Sequence, residues 1–286
     1  MKMSEFAWFN GAIVPHQAAD PSVASNTLHL GVAVFDGCMA YWNETRWNRH
    51  LLTKHLQRFV RGAALMDLHL PWEAEELEAG VDALLATLEP TTHYIRPIAY
   101  RTAPDVFFSV DQESTSACIF AVPVERDSDE SYRCQLSPVE RVRGQAIPAT
   151  WKVSGAYANS YRCEQEARRA GFHTGVMLNA AGFICEASSS NLFFVDDGEL
   201  VTPRLDGDTF PGLTRHLLID QAHDAGTSVT ERDIHPADLP SFDAAFLCGT
   251  LSEVRPISCI GDVEWRSAQN PVVRSVITRF REFTHR

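Results

Sequence analysis

The sequence predicts an α+β protein of two domains, and three observations carry that prediction. The first part of the chain mixes segments of strand period with two long segments of helix period. The second half holds many short strands and few helices, the pattern of a barrel-like sheet. Between them, residues 125–132 (Glu-Arg-Asp-Ser-Asp-Glu-Ser-Tyr) are polar and carry no hydrophobic periodicity. That stretch is the expected linker between an N-terminal domain of residues 1–124 and a C-terminal domain of residues 133–286. A long surface loop inside one domain would have the same composition.

The elements follow in chain order. Residues 6–9 and 12–14 form a strand pair turned by Asn10-Gly11, the strongest two-residue hairpin signal. A loop to Leu28 leads into an apolar segment through Val34 and Phe35 to Tyr41. From about residue 48 to 66, Leu52, Leu56, Phe59, Val60 and Ala63 share one helical face. A second helix over residues 72–88 turns Leu77, Val81, Leu84, Leu85 and Leu88 inward and stops before Pro90. Strands return at residues 93–100 and 117–122.

Past the linker, a strand is expected over residues 134–139 and a helix from about Ala156, ended by Gly171. Short strands follow at residues 175–178, 183–186 and 192–195, and Asp197-Gly198 turns the last into residues 200–202. A helix spans residues 212–226. Strands at 229–231, 244–247 and 254–260 and a helix from Pro271 complete the chain, which shows no internal repeat.

Composition narrows the function. The 286 residues carry a formal net charge of −12. Nucleic acid and anionic membranes both need a basic face, so neither is an expected partner. A local basic pocket for a small anion is still allowed. No apolar run approaches the ~18 residues of a membrane helix, and the N-terminus leads into an alternating strand, not an apolar signal core. The seven cysteines are odd in number and form no CxxC pair. They read as small buried hydrophobes in a reducing compartment, which predicts a cytoplasmic protein. The eleven histidines show no HxxxH spacing, so no metal site is expected.

Three local patterns carry chemistry. In Ala149-Thr150-Trp151-Lys152-Val153-Ser154-Gly155-Ala156-Tyr157, a lysine lies between Trp and Val. A desolvated lysine loses basicity and becomes a nucleophile toward carbonyls. In Gly182-Phe183-Ile184-Cys185-Glu186-Ala187-Ser188, an acid ends an apolar strand. In Pro211-Gly212-Leu213-Thr214-Arg215, Gly and Thr open a helix, leaving backbone N–H groups and a hydroxyl for an anion. Taken singly, a snorkelling lysine, a loop acid and a plain capped helix explain each pattern better. Together they supply what pyridoxal 5'-phosphate (PLP) chemistry needs: an amine for the aldehyde, an acid for the pyridine nitrogen and a phosphate cradle.

Further motifs in the same order resemble the class IV, fold-type IV PLP enzymes, most closely the branched-chain amino-acid aminotransferases. They are Leu28-His29-Leu30-Gly31-Val32-Ala33-Val34-Phe35-Asp36-Gly37, His55-Leu56-Gln57-Arg58-Phe59, Tyr94-Ile95-Arg96-Pro97 and Cys248-Gly249-Thr250-Leu251-Ser252-Glu253-Val254-Arg255-Pro256. The resemblance implies a small α/β sandwich domain, a larger pseudo-barrel domain and a homodimer. It implies that Lys152 carries the cofactor and shuttles the proton. Glu186 then pairs with the pyridine nitrogen, and Tyr157 with the phenolic oxygen. Arg58, Leu213, Thr214 and Thr250 hold the phosphate. The backbone at Thr250, Leu251 and Ser252 faces the substrate carboxylate, Arg96 and Tyr94 lie on the substrate side, and Phe35 walls the pocket.

The substrate end departs from the branched-chain pattern. Leu30 stands where a tyrosine is expected, Asp36 where a glutamate is, and Met39 where an arginine is. The aromatic interdomain loop is replaced by the charged residues 124–128, and Leu251-Ser252 replaces a pair of small residues. The implied reaction is transamination between a branched-chain-like L-amino acid and 2-oxoglutarate. A D-amino-acid or (R)-amine transaminase, an aminodeoxychorismate lyase and a non-catalytic binding module of the same fold are the alternatives.

Overall fold

The computed structural model describes residues 3–102, 104, 107, 114–125 and 130–285. Of the linker expected at 125–132, residues 126–129 lie outside the described residues, as does part of the charged loop at 124–128. The chain divides into two compact units: residues 1–126, 151–156 and 284–286, and residues 127–150 and 157–283.

The first unit is built on a seven-stranded sheet. Strands β1 (Phe6–Phe9) and β2 (Ala12–Pro15) form the predicted hairpin. Strands β3 (Ala33–Phe35), β4 (Cys38–Trp42), β5 (Trp47–Arg49), β6 (His93–Arg101) and β7 (Thr115–Pro123) complete it, in the order β2-β1-β7-β6-β4-β5 with β3 also on β6. Helices α2 (Leu52–Leu65) and α3 (Ala74–Leu85) cover it and bury Leu52, Leu56, Phe59, Ala63, Leu77, Val81, Leu84 and Leu85, whereas Val60 is half-buried and Leu88 lies past the end of α3, half-buried. Glu73 and Glu76 close a reciprocal capping box that starts α3.

The apolar segment expected from Leu28 to Tyr41 is in fact three elements. A short helix α1 (Asn26–Leu30) ends at Gly31 in the left-handed conformation, φ +67°. Asp36-Gly37 then interrupts the strand. The helix expected from residue 48 starts four residues later, because residues 47–49 pair with β4 and Leu51 takes a left-handed φ of +54° before the first turn.

Residues 151–156 belong to the first unit through backbone contacts. Val34 and Val153 form an antiparallel bridge, and the Phe35 N–H donates to the Lys152 carbonyl at 3.1 Å. The Gly155 N–H donates to the Gly31 carbonyl at 3.2 Å. A Cβ on Gly31 would lie 2.8 Å from the Gly155 Cα, so this approach needs glycine.

The second unit holds a nine-stranded mixed sheet. Its strands are β8 (Tyr132–Leu136), β9 (Thr174–Leu178), β10 (Ile184–Ala187), β11 (Asn191–Asp196), β12 (Glu199–Pro203), β13 (Val229–Arg232), β14 (Ala244–Gly249), β15 (Glu253–Ile260) and β16 (Val263–Glu264). The order is β10-β9-β8-β15-β14-β11-β12-β13, with β16 on β15. Ile184 on one edge strand donates to the carbonyl of Ile234, just past the other edge, at 2.8 Å. The sheet therefore curls into a half-barrel. Helices α4 (Tyr157–Arg169), α5 (Leu213–Asp224) and α6 (Pro271–Thr284) accompany it.

Strand periodicity explains why both faces of this sheet are dry. On β11, Leu192 and Phe194 join one apolar cluster while Phe193 and Val195 join another, where Leu218, Ala222, Val273, Val276 and Phe280 pack. Phe193, Phe194 and Phe246 are fully buried, each worth about 1.5–3 kcal/mol relative to exposure. All seven cysteines are buried, and burial pushes the Cys118 and Cys248 thiols up to about 12. No described helix is long and apolar enough to cross a membrane.

Candidate active site

The residues singled out in the sequence divide between the units. Phe35, Arg58, Tyr94, Arg96 and Lys152 lie in the first, and Tyr157, Glu186, Leu213, Thr214, Thr250, Leu251 and Ser252 in the second.

In the first unit a cationic and aromatic cluster forms around Phe35, which ends β3. The Arg96 guanidinium carbon lies 4.6 Å from the Phe35 ring centroid and 5.2 Å from that of Tyr94. The Lys152 Nζ lies 4.9 Å from the Phe35 centroid. Arg96 donates to the Tyr94 hydroxyl at 2.9 Å, and its buried Nε has no hydrogen-bond partner among the described residues. A Cβ on Gly37 would sit 1.9 Å from the Tyr94 hydroxyl, so only glycine leaves that phenol in place. Met39 pairs with Tyr94 across β4 and β6 and packs against it with Tyr41. The arginine-to-methionine departure thus gives Tyr94 an apolar backing.

Behind this cluster lies a buried charged knot. Asp36 is fully buried. It accepts Arg58 Nε at 2.7 Å on Oδ2 and the second Arg58 nitrogen at 2.8 Å on Oδ1. His55 Nδ1 donates to Oδ1 at 2.7 Å, and so does the Gly37 N–H. Burial pushes the Asp36 carboxyl up, but the bonds and charges of Arg58 and His55 outweigh it and hold it well below the ordinary carboxylate range. Since an ionised carboxylate only accepts, the His55 proton sits on Nδ1. Burial lowers the His55 pKa, against the pull of Asp36.

In the second unit Glu186 sits on β10 and is buried. Arg141 Nε lies 2.6 Å from its Oε1. The Phe210 N–H donates to Oε2 at 3.0 Å, and Asn191 Nδ2 approaches the same oxygen at 3.5 Å. Asn191 also donates to the Phe210 carbonyl at 2.8 Å. Helix α5 starts after Gly212 with no side-chain cap, so its first backbone N–H groups suit an anion, and Thr214 is buried at that end. Ser190 and Ser252 share a hydroxyl hydrogen bond of 2.9 Å, tying the turn after β10 to the turn after β14. Tyr157 opens α4, and Leu251 is exposed.

Arg141, His55 and Asn191 were not singled out in the sequence. Arg141 lies in Val139-Glu140-Arg141-Val142-Arg143, where two arginines alternate with valine and nothing in the spacing marks one as buried. The signal available was the acid itself, since a buried carboxylate needs a buried partner. The donor set fits PLP by its chemistry: an amine beside an aromatic wall, a buried acid, a guanidinium and an uncapped helix start.

The amino-transferase class IV family profile matches residues 33–260. A probable branched-chain-amino-acid aminotransferase of Aquifex aeolicus is 31% identical, over 98% of this chain and 91% of that protein. The branched-chain aminotransferase of Thermoproteus uzoniensis, solved with norvaline, superposes with a TM-score of 0.94 at 32% identity, covering 99% of this chain and 95% of the other. The branched-chain amino acid aminotransferase of Thermobaculum terrenum, solved in its PLP form, gives 0.92 at 28%, covering 100% and 95%. The same fold, the same order of motifs and a donor set suited to PLP lead to one conclusion: this chain belongs to the class IV aminotransferases, a PLP-dependent family.

Proposed function

We propose that the protein moves amino groups between a branched-chain-like L-amino acid and 2-oxoglutarate. The observation that carries this reading is Arg96 between the rings of Phe35 and Tyr94. Aromatic walls suit an uncharged aliphatic side chain, and a guanidinium among them suits the distal carboxylate of glutamate. The relatives' substrates support it.

The bound cofactor supplies an electron sink. Lys152 would hold its aldehyde through Nζ and, when its amine is free, would move the proton at the substrate α-carbon. Glu186 would hold the proton on the pyridine nitrogen, with Arg141 as its counter-charge. Tyr157 would hydrogen-bond the phenolic oxygen. Arg58, oriented by Asp36, would hold the phosphate, as would the Leu213 and Thr214 N–H groups and the Thr214 and Thr250 hydroxyls. The backbone at Thr250, Leu251 and Ser252 binds the substrate carboxylate.

The same reading includes the division into domains 1–124 and 133–286 about a linker, a homodimer and a cytoplasmic location. Single-turnover spectroscopy with L-leucine, L-valine, L-glutamate, D-alanine and an (R)-amine tests the reaction. Rapid loss of the cofactor's visible band with the L-amino acids is expected. Conversion by D-alanine alone would assign the protein to the D-amino-acid branch.

A further inference from the structure

The two oxygens of Glu186 are held from two different loops. Arg141, on Oε1, belongs to the segment between β8 and residue 154, and Phe210, on Oε2, to the segment between β12 and α5. Irregular segments hold a group in place only where they are pinned.

Each arm has its own pins. The Arg141 N–H donates to the Leu178 carbonyl at 2.9 Å. On either side of Arg141, the Asn159 amide accepts the Val142 N–H at 3.0 Å and donates to the Glu140 carbonyl at 2.8 Å. In the second arm the Asp206 carboxylate accepts the Asp208 N–H at 3.0 Å, the Thr209 N–H at 3.2 Å and Asn179 Nδ2 at 2.7 Å. That turn leads directly into Phe210.

A hydrogen bond joins the arms. The Gly144 N–H donates to Asp208 Oδ1 at 2.6 Å, a charge-assisted bond. Beside it, a Cβ on Gly144 would lie 2.0 Å from the Gly207 carbonyl oxygen, so the two backbones touch as only glycine permits. Glu186, Arg141, Gly144, Asp208 and Phe210 thus form a closed circuit, in which the Asp208 bond lies between the arm that carries Arg141 and the arm that carries Phe210.

We propose that Asp208 is a positioning residue for Glu186, fixing the geometry of the acid by fastening the Phe210 arm to the Arg141 arm at Gly144. The proposal rests on the reading of Glu186 as partner of the pyridine nitrogen. Asp208 lies on the wall of an open cavity of about 570 Å³, so truncating it empties no core.

The test compares Asp208→Ala, Asp208→Asn, Gly144→Ala and Glu186→Gln with the wild-type holoenzyme. It reads kcat, the pH midpoint of the bound cofactor's visible band, the affinity of the apo-protein for PLP and the apo-protein's melting temperature. Asp208→Ala should lower kcat by about tenfold and shift the pH midpoint in the same direction as Glu186→Gln. Asp208→Asn keeps an acceptor at Oδ1 and should recover most of both. Gly144→Ala leaves Asp208 in place but drives Gly207 away, and should reproduce the Asp208→Ala shift. A midpoint and kcat unchanged in Asp208→Ala and Gly144→Ala, with Glu186→Gln shifted, would overturn the positioning role alone. A lowered melting temperature with an unmoved midpoint would also overturn it, leaving Asp208 a loop brace. An unshifted Glu186→Gln would overturn the reading of Glu186 and the positioning role with it.

Discussion

Arg141 and Glu186 form an ion pair withdrawn from solvent, Nε to Oε1 2.6 Å apart, with each side chain 8% exposed. Removing one partner of such a pair leaves a buried charge uncompensated, at a cost of about 3–5 kcal/mol. Arg141→Met should therefore lower the apo-protein's calorimetric melting temperature by roughly 10 °C. A wild-type melting temperature would show that another group compensates the acid.

Glu186→Gln should keep PLP bound and slow transamination about a hundredfold or more, because an amide cannot sustain a protonated pyridine nitrogen. Steady-state kcat, with absorbance confirming full loading, measures this. Turnover near wild type would remove Glu186 from the ring nitrogen.

Borohydride reduction of the holoenzyme should fix the cofactor on the peptide containing Lys152. Mass spectrometry of the digest locates the label. Recovery on Lys54 or Lys2 would refute the assignment.

Arg96→Ala should weaken glutamate and 2-oxoglutarate by about ten- to a hundredfold, since a bidentate contact to a carboxylate is worth on the order of 1.5–3 kcal/mol. Leucine should suffer much less. KM and kcat for both donors decide it, and equal losses would make Arg96 a brace for β6.

Stability should fall on mild acidification because of His50. Burial, with the His55 charge adding to it, lowers its pKa from 6.5 to about 4. Between those values the unfolded chain binds a proton that the folded chain refuses. The folded state is therefore unpenalised above about pH 6.5 and loses up to about 3 kcal/mol toward pH 4. Melting temperatures measured from pH 4 to 7 should show this slope, and His50→Gln should flatten it. An unchanged slope in the variant would place the acid sensitivity elsewhere.

The sequence showed most elements because their signals are local. Asn10-Gly11 turns β1 into β2, and the leucine periods of α2 and α3 match their buried faces. Boundaries failed where a backbone conformation intervened, as at Leu51 and at Asp36-Gly37. In the site, the motif order pointed to the class of chemistry, and the family match agrees with it. What lay hidden was reciprocity between distant residues. Nothing near Arg141 marks it as the counter-charge of an acid on another strand. Nothing in Phe-Asp-Gly tells that Asp36 is gripped by two residues of α2. Such pairings depend on which loops the tertiary fold brings face to face, and a linear pattern does not encode them.

The bridge from Val34 to Val153 has a kinetic consequence. It joins positions separated by well over a hundred residues, together with the Phe35 contact to the Lys152 carbonyl. Closing a loop of that length carries an entropic cost that grows as about (3/2)RT ln n, and contacts so remote in sequence form slowly. The local hairpin and helices can assemble early in synthesis, but the amine reaches its aromatic wall only after the ribosome has delivered the chain past residue 153. Catalytic competence should therefore lag behind compaction in a refolding experiment, appearing as a late phase after the helical signal has saturated.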